Sequence, residues 1–197
     1  TDRFSVLFDD YRTLEGILSG NTKTTGIDYS LFYVQGSTTD IYGSVNYVLP
    51  NSPASQLGIT RGDVFYAINN ESLTVSNYKS LLGNETLNIH FAQLSAGNII
   101  ANGVVKTVTK IQLQENPIYH YDVINLGTKK IGYLVYNAFL SDYESALNNV
   151  FGYFKGQGIT HLIVDLRYNS GGSVATATRL ASMITGQFNG QIFAKQQ

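Results

Sequence analysis

The pattern of apolar and turn-forming residues changes near Pro117, and this change limits the possible folds more strongly than any other feature of the sequence. Between Gly26 and His90, short apolar runs alternate with clusters of Gly, Asn, Ser and Pro, as is typical of short strands joined by turns. After Pro117 the pattern becomes strand, helix, strand, helix, with apolar strands at 131–136 and 162–166. Such alternation indicates a mainly parallel sheet with right-handed crossovers. The sequence therefore predicts an α+β module followed by an α/β module.

These patterns also predict where the modules begin and end. We expect residues 1–22 to form an N-terminal helical segment, 23–116 a strand-rich module and 117–197 the α/β part. Within the strand-rich module, one helix is predicted at 76–82, capped by Ser76. In the α/β part, Ser141 and Glu144 have the spacing of a capping box at a helix start. Separate sheets in the two modules are expected.

Composition excludes several classes of protein. Hydrophobic residues make up 43% of the chain and charged residues 14%, well below the roughly 25% usual in soluble domains, so a packed core is expected. Lys and Arg number 13 against 14 Asp and Glu, and this balance disfavours nucleic-acid binding. The sequence has no cysteine, which excludes disulfides, thiolate metal sites and a cysteine nucleophile. No apolar run reaches the roughly 20 residues of a membrane span.

The three histidines do not form a metal-binding pattern. His90, His120 and His161 are far apart in sequence and lack the short spacings of metal ligands. We therefore expect no metal site and no cofactor.

The stretch 161–172 is the strongest candidate for chemistry. It reads as an apolar strand, a polar turn and the pair Gly171 and Gly172 before a helix. Ligands of open α/β sheets bind beyond the carboxyl ends of strands, and glycines let backbone N–H groups approach an anion there. From the residues alone, the turn would hold a phosphate, an oxyanion or nothing. It is not a P-loop, because the required spacing and lysine are absent.

This stretch resembles a known family. Asp165-Leu-Arg-Tyr-Asn-Ser-Gly-Gly172 is similar to the Asp-Leu-Arg-x-Asn-x-Gly-Gly signature of carboxyl-terminal processing peptidases, also called tail-specific proteases. Residues 131–134 with Phe139 resemble the strand that opens the family's protease core. Asp2-Arg3-Phe4-Ser5 resembles the segment that precedes its PDZ module.

The resemblance implies a serine endopeptidase of the Ser-Lys type. A backbone N–H of Gly171 or Gly172 would then donate to the oxyanion. The family's serine and lysine lie well beyond the Gly-Gly pair, so the chain is expected to end before them and to be inactive by itself. Ser170 and Ser173 are interpreted as turn and helix-cap residues.

The first module resembles a PDZ domain in residues 48–58 and 61–69. The resemblance implies a partly open β-barrel capped by a helix, with a peptide added to an exposed strand edge. Asp28 stands where such modules usually have a second glycine, and we expect it to lower any preference for a free terminal carboxylate. The spacing of the candidate residues on the helix would serve core packing equally well. A module with a purely structural role therefore remains an alternative. The candidate peptide-binding residues are Gly26, Ile27, Asp28, Tyr29, Tyr78, Leu81 and Leu82.

Taken together, the resemblance implies a PDZ-like module followed by a βαβα portion of a protease core. The parent protein would bind and cleave peptide or protein substrates in the bacterial envelope, as a periplasmic, secreted or lipid-anchored enzyme. The alternative is a noncatalytic PDZ-containing peptide-binding or scaffold protein. A sugar- or phosphate-binding α/β domain that uses Gly171 and Gly172 leaves the PDZ-like half unexplained. The sequence does not indicate the oligomeric state.

Overall fold

The computed structural model describes residues 10–188 and 190–192. It divides into a strand-rich unit, Thr22–Leu113, and an α/β unit formed by the described residues of Thr1–Asn21 and Gln114–Gln197. The predicted similarity of residues 2–5 to the family falls outside the described residues.

The strand-rich unit is built on an antiparallel sheet with the strand order β2-β3-β4-β6-β7, and β5 pairs with β4. Strands β1 and β8 form a separate two-stranded sheet. The strands are β1 Asn21–Thr24, β2 Ile27–Tyr33, β3 Ile41–Val48, β4 Val64–Ile68, β5 Glu71–Ser72, β6 Thr86–Ser95, β7 Asn98–Thr109 and β8 Ile111–Gln114. The helices are α2 Pro53–Gln56 and α3 Tyr78–Gly83.

Strand alternation creates the core of this unit. Ile41 and Val45 of β3 are buried in the core and alternate with less buried residues, as expected when one face of a strand packs on the core. Helix α3 contributes Leu81, and α2 contributes Ala54. The predicted cap by Ser76 is wrong, because α3 begins later and the Ser76 hydroxyl pairs with the Thr74 hydroxyl instead. The buried cluster consists of Ile41, Val45, Ala54, Ile59, Phe65, Ile68, Leu73, Leu81, Leu87, Ile89, Phe91 and Val108.

The α/β unit contains a mixed three-stranded sheet in the order β11-β10-β9. Strand β11 lies parallel to β10, and β9 lies antiparallel to β10. The predicted βαβα order of β10, α4, β11 and α5 is confirmed, while the antiparallel β9 makes the sheet less parallel than expected. The elements are α1 Tyr11–Leu18, β9 Ile118–Leu126, β10 Lys129–Tyr136, α4 Glu144–Gln157, β11 His161–Asp165 and α5 Val174–Ile184.

Helix α1, which lies within the predicted N-terminal helical segment 1–22, is tied to the α/β unit. The side-chain amide of Gln114 donates to the Ser19 carbonyl at 2.7 Å, and the Glu115 N–H donates to the Gly20 carbonyl at 2.8 Å. Gly20 has a φ of +79°, and a Cβ there would lie 2.5 Å from a methyl group of Leu140. The glycine therefore permits both the chain reversal after α1 and the close approach to Leu140.

The predicted capping box at α4 is wrong. Ser141 lies in a short 3₁₀ turn ahead of the helix, and Glu144 is the first residue of α4. The Glu144 carboxylate instead accepts a hydrogen bond from the Thr176 hydroxyl at 2.7 Å and pairs with Arg179 of α5. A tertiary contact between α4 and α5 thus replaces the local cap.

None of the helices within 10–188 and 190–192 combines the length and apolarity needed to cross a membrane.

Candidate functional site

A buried carboxylate fixes the carboxyl end of β11. Asp165 is 9% exposed. Its two carboxylate oxygens share the Arg167 Nε–H, at 2.9 and 3.0 Å, and the carboxylate also accepts hydrogen bonds from the Arg167 Nη2 at 2.5 Å and the Arg167 backbone N–H at 3.1 Å. The Tyr133 hydroxyl of β10 donates to the same carboxylate at 2.8 Å. The Arg167 guanidinium holds the pKa of the Asp165 carboxyl well below its usual range, against the opposing effect of burial. The start of the turn is therefore anchored by an ionised carboxylate.

Asn169 shapes the next part of the turn. Its side-chain amide donates to the Tyr136 carbonyl at 2.9 Å, and its side-chain oxygen accepts the Gly171 N–H at 2.8 Å. Asn commonly bonds its own backbone two residues on in this way. The Gly171 N–H is consequently engaged within the turn.

Gly172 differs from Gly171 in two respects. Its N–H has no hydrogen-bond partner among the described residues, and the residue is exposed. Its φ is +129°, and a Cβ added there would lie 2.4 Å from the Phe139 carbonyl oxygen. Phe139 and Gly172 form an isolated parallel bridge, in which the Phe139 N–H donates to the Gly171 carbonyl and the Ser173 N–H to the Phe139 carbonyl. Of the two predicted glycines, Gly172 alone offers an unoccupied donor.

The serines beside the glycines have structural partners. The Ser170 hydroxyl donates to the Asn137 carbonyl at 3.4 Å, and the Ser173 hydroxyl accepts the Thr176 N–H at 3.3 Å as the N-cap of α5. Neither hydroxyl is hydrogen-bonded to a lysine or histidine within the described part of the chain. Both have the geometry of turn and cap residues.

The second candidate region is the free edge of β2: this strand pairs with β3 on one side and, among the described residues, has no strand partner on the other. Gly26 precedes it with a φ of +86°, and a Cβ there would lie 2.1 Å from the Ser52 Cβ. The Gly26 N–H donates to the Thr24 hydroxyl at 3.0 Å, and the Ile27 N–H donates to the Thr25 hydroxyl at 3.3 Å. The two amides that precede Asp28 are therefore already hydrogen-bonded within the chain.

Asp28 faces away from the core of the strand-rich unit. Its carboxylate accepts a hydrogen bond from the Asn46 side-chain amide at 2.8 Å, and the same amide lies 3.0 Å from the Ser30 hydroxyl. Asn46 is the extra residue of a β-bulge, since Asp28 pairs with Tyr47 and the next residue of β2 pairs with Val45. Burial raises the pKa of the Asp28 carboxyl, and the hydrogen bond from Asn46 opposes this effect.

The other predicted groove residues lie on the core side of β2 or on α3. The Tyr29 ring meets the Phe65 ring edge-on at 5.7 Å, and burial, with smaller contributions from Asp28 and Tyr78, raises the pKa of the Tyr29 phenol. Ile27, Tyr78 and Leu82 pack partly exposed against the core. Leu81 is only 7% exposed and belongs to the core, so its assignment to the groove is corrected to a packing role.

The structure brings the predicted residues together in two places. Gly171 and Gly172 lie in the α/β unit, whereas β2 and α3 lie in the strand-rich unit. Within the described residues, no group of three or more His, Asp or Glu side chains is arranged to hold a metal ion.

Sequence reasoning missed the residues that organise both places. Asn169 decides which glycine N–H is free, and its position two residues before Gly171 is a recognisable signal of an Asx turn. Tyr133 and Asn46 act through contacts between strands, at 2.8 Å each to Asp165 and Asp28. No local pattern indicates these two contacts.

Comparison with known proteins matches both units. Residues 130–197 match the model of peptidase family S41, and residues 44–89 match that of the PDZ domain. The chloroplastic carboxyl-terminal-processing peptidase 2 of Arabidopsis thaliana is 28% identical over 166 residues, which cover 80% of this chain and 32% of the relative. The chloroplastic C-terminal processing peptidase of Tetradesmus obliquus is 23% identical over 185 residues, with coverage of 88% and 39%.

Two solved structures are similar as well. A putative S41 protease from Bacteroides fragilis has a TM-score of 0.63 and 29% identity, covering 81% of this chain and 44% of that protein. The photosystem II D1 C-terminal processing protease has a TM-score of 0.55 and 20% identity, covering 87% and 46%, and supports the fold. The chain spans 32% of the length of the Arabidopsis thaliana relative and 39% of the length of the Tetradesmus obliquus relative. Residues 130–197 are therefore similar to peptidase family S41, and residues 44–89, which precede them, are similar to the PDZ domain.

Proposed function

We propose that the protein is part of a serine endopeptidase that binds extended peptide segments through its PDZ domain and cleaves them in its peptidase domain. The observation that carries this proposal is the exposed N–H of Gly172 in the turn after β11, which has no hydrogen-bond partner among the described residues. The Asp165 and Asn169 contacts hold this turn in place before any substrate binds. Preorganised donors of this kind stabilise charge that develops in a transition state.

The chemistry assigned to Gly172 is oxyanion stabilisation. When a nucleophile adds to a peptide carbonyl carbon, negative charge develops on the carbonyl oxygen. A backbone N–H aimed at that oxygen is typically worth about 3 kcal/mol of barrier. Gly171 does not share this role, because its N–H is bonded to Asn169 at 2.8 Å. The serine and lysine that the family resemblance implies are distinct from Ser170 and Ser173, whose hydroxyls serve the turn and the cap.

An activity assay tests the catalytic part of the proposal. We expect the full-length gene product to cleave fluorescently labelled casein, an unstructured substrate, and Ser170→Ala to leave the rate unchanged. The Ser170 hydroxyl makes only a 3.4 Å contact with a backbone carbonyl, so its loss removes no catalytic group. Loss of cleavage in Ser170→Ala, with the fold intact by circular dichroism, would contradict the assignment. Peptide binding without any cleavage would favour the noncatalytic scaffold.

The PDZ part of the proposal rests on the free edge of β2. An extended peptide that adds to this edge would form backbone hydrogen bonds along the strand, while its side chains meet the groove between β2 and α3. Ile27, Tyr29, Tyr78 and Leu82 are the proposed lining residues. Thr24 and Thr25 already accept the N–H groups of Gly26 and Ile27. Recognition of a terminal carboxylate is therefore not the main source of affinity.

A peptide titration tests this binding mode. Fluorescein-labelled peptides as long as β2, matched except for a free or amidated carboxyl end, should bind this chain weakly and with Kd values within about two-fold of each other. Fluorescence anisotropy measures both values directly. A Kd at least ten-fold lower for the free carboxylate would contradict the interpretation of the turn. Binding of neither peptide would favour a purely structural module.

We also propose an extracytoplasmic bacterial location, periplasmic or secreted. The absence of cysteine from the sequence and the similarity to a Bacteroides fragilis protein support this location. Fractionation of the native host with an antibody against this chain tests it, and recovery in the cytosol would contradict it.

A further inference from the structure

On the face of β2 that points away from the core, Asp28 and Ser30 form a cluster of polar side chains with Asn46 of the neighbouring strand β3, here called the Asp28 cluster. Ile27 and Leu31 pack on the core and Tyr29 contacts Phe65, so the alternation of the strand places Asp28 and Ser30 on the opposite face. The bulge at Asn46 brings its side-chain amide to 2.8 Å from Asp28 and 3.0 Å from Ser30. The cluster is thus held in a defined position beside the free strand edge.

Among the described residues, the Asp28 carboxylate has no counter-charge. Within the described residues, no lysine, arginine or histidine lies within ion-pair distance of it, although it is half-buried. The Arg61 guanidinium donates to the Asn46 main-chain carbonyl at 3.3 Å. A half-buried carboxylate with only a neutral hydrogen-bond donor is costly, and a cation supplied by a ligand would relieve that cost.

A peptide strand added to β2 would bring side chains to this cluster. Alternate side chains of the added strand point to the same face as Asp28 and Ser30, and a directly opposed pair has Cβ atoms about 5 Å apart. At that separation, a lysine or arginine side chain reaches the carboxylate, whereas a glutamate is repelled. Side chains on the core face meet Tyr29 and Tyr78 instead and do not reach the Asp28 cluster.

We propose that Asp28 is a specificity-determining residue that selects peptides with a basic side chain at the position facing the outer side of β2. This inference rests on the proposed peptide binding at β2. The expected ligand group is a cation on an extended peptide, because the Asp28 carboxylate has no cationic partner in the described part of the chain.

A charge series on the peptide tests the inference. Three labelled, amidated peptides as long as β2 are compared, each with Lys, Ala or Glu at one outward position, with that position moved along the peptide in turn. At one register we expect the Lys peptide to bind about five-fold more tightly than the Ala peptide, and the Glu peptide about five-fold more weakly. Equal affinities at every register would overturn the inference while leaving peptide binding intact. Absence of binding by every peptide would instead remove the proposed function on which it rests.

Substitution on the protein separates Asp28 from general charge effects. Asp28→Asn keeps the fold, because the side-chain oxygen at this position still accepts the Asn46 amide hydrogen bond. In this variant we expect the Lys and Ala peptides to bind with about equal affinity. Glu71→Gln removes one negative charge from β5, which pairs with β4 and not with β2, and should leave the preference unchanged. A preference that survives Asp28→Asn, or that disappears in Glu71→Gln, would contradict the assignment.

Discussion

Replacing Gly172 with alanine is expected to lower the free energy of unfolding of the α/β unit by about 3 kcal/mol, from backbone strain and steric overlap combined. The backbone at Gly172 has a φ of +129°, where residues with a side chain are strained. The new Cβ would also meet the Phe139 carbonyl oxygen at 2.4 Å and its nitrogen at 3.1 Å. These are backbone atoms of the bridge itself, so the overlap is relieved only by separating the two segments.

Two matched glycine variants serve as controls for this result. Gly171→Ala places a Cβ in open space at a φ of +94°, so only backbone strain of about 1 kcal/mol is expected. Gly152→Ala lies in α4, also with open space around the Cβ, and should stabilise the unit by about 1 kcal/mol because alanine favours the helix. Hydrogen exchange of amides in β11 and α5 reports on this unit alone. Equal costs for the Gly171 and Gly172 variants would show that the bridge to Phe139 does not constrain the turn.

The same comparison bears on the proposed chemistry. In the full-length protein, Gly172→Ala should reduce the cleavage rate more than 100-fold, because displacement of the N–H removes an oxyanion donor. Gly171→Ala should reduce it much less, since the Gly171 N–H is bonded to Asn169 and is not available to substrate. If Gly171→Ala is the more damaging of the two for activity, the choice of Gly172 as the donor is wrong.

Local sequence patterns were sufficient to predict most of the fold. Strand β4, Val64–Ile68, is one of the short apolar runs between turn signals that the sequence predicts between Gly26 and His90. The order of β10, α4, β11 and α5 followed from a change of periodicity that needs no long-range information. Strand β9 was not predicted, since most of its residues are exposed and it lacks the apolar alternation of a half-buried strand.

The parts of the site that escaped prediction depend on partners distant in sequence. Ser141 and Glu144 have the spacing of a capping box, in which the glutamate would bond the start of its own helix. The Glu144 carboxylate instead contacts the buried Thr176 hydroxyl and the Arg179 guanidinium of α5, which compete with the helix terminus for it. The direction of Asp28 is set by the bulge at Asn46, which lies on the neighbouring strand. Sequence spacing predicted which residues stand near the site, and tertiary hydrogen bonds decide which of their atoms remain free.

The Asp165 carboxylate, which anchors the turn after β11, is expected to make the stability of the α/β unit depend on pH. The pKa of Asp165 is lowered in the folded state, chiefly by Arg167. Its stabilisation is therefore fully present above the unfolded pKa of about 3.9 and is lost as the pH falls from there towards the folded pKa. Asp165→Asn should cost about 2 kcal/mol at pH 7, because it removes charge-assisted hydrogen bonds from Arg167 and Tyr133. The variant should also lose the steep fall in stability below pH about 4.

Tyr133→Phe is the matched control for that pH series. It removes one hydrogen bond to the carboxylate and leaves the Arg167 contacts, so it should cost about 1 kcal/mol while keeping the acid-induced fall. The stability of the α/β unit must be measured locally, because burial raises the pKa of Asp28 in the strand-rich unit. The contribution of Asp28 to the free energy of unfolding therefore changes with pH in the opposite direction to that of Asp165. Hydrogen exchange in β10 and β11 between pH 3 and 6 isolates the contribution of the α/β unit. An acid-induced fall of equal size in wild type and Asp165→Asn would mean that another carboxylate, and not Asp165, anchors the turn.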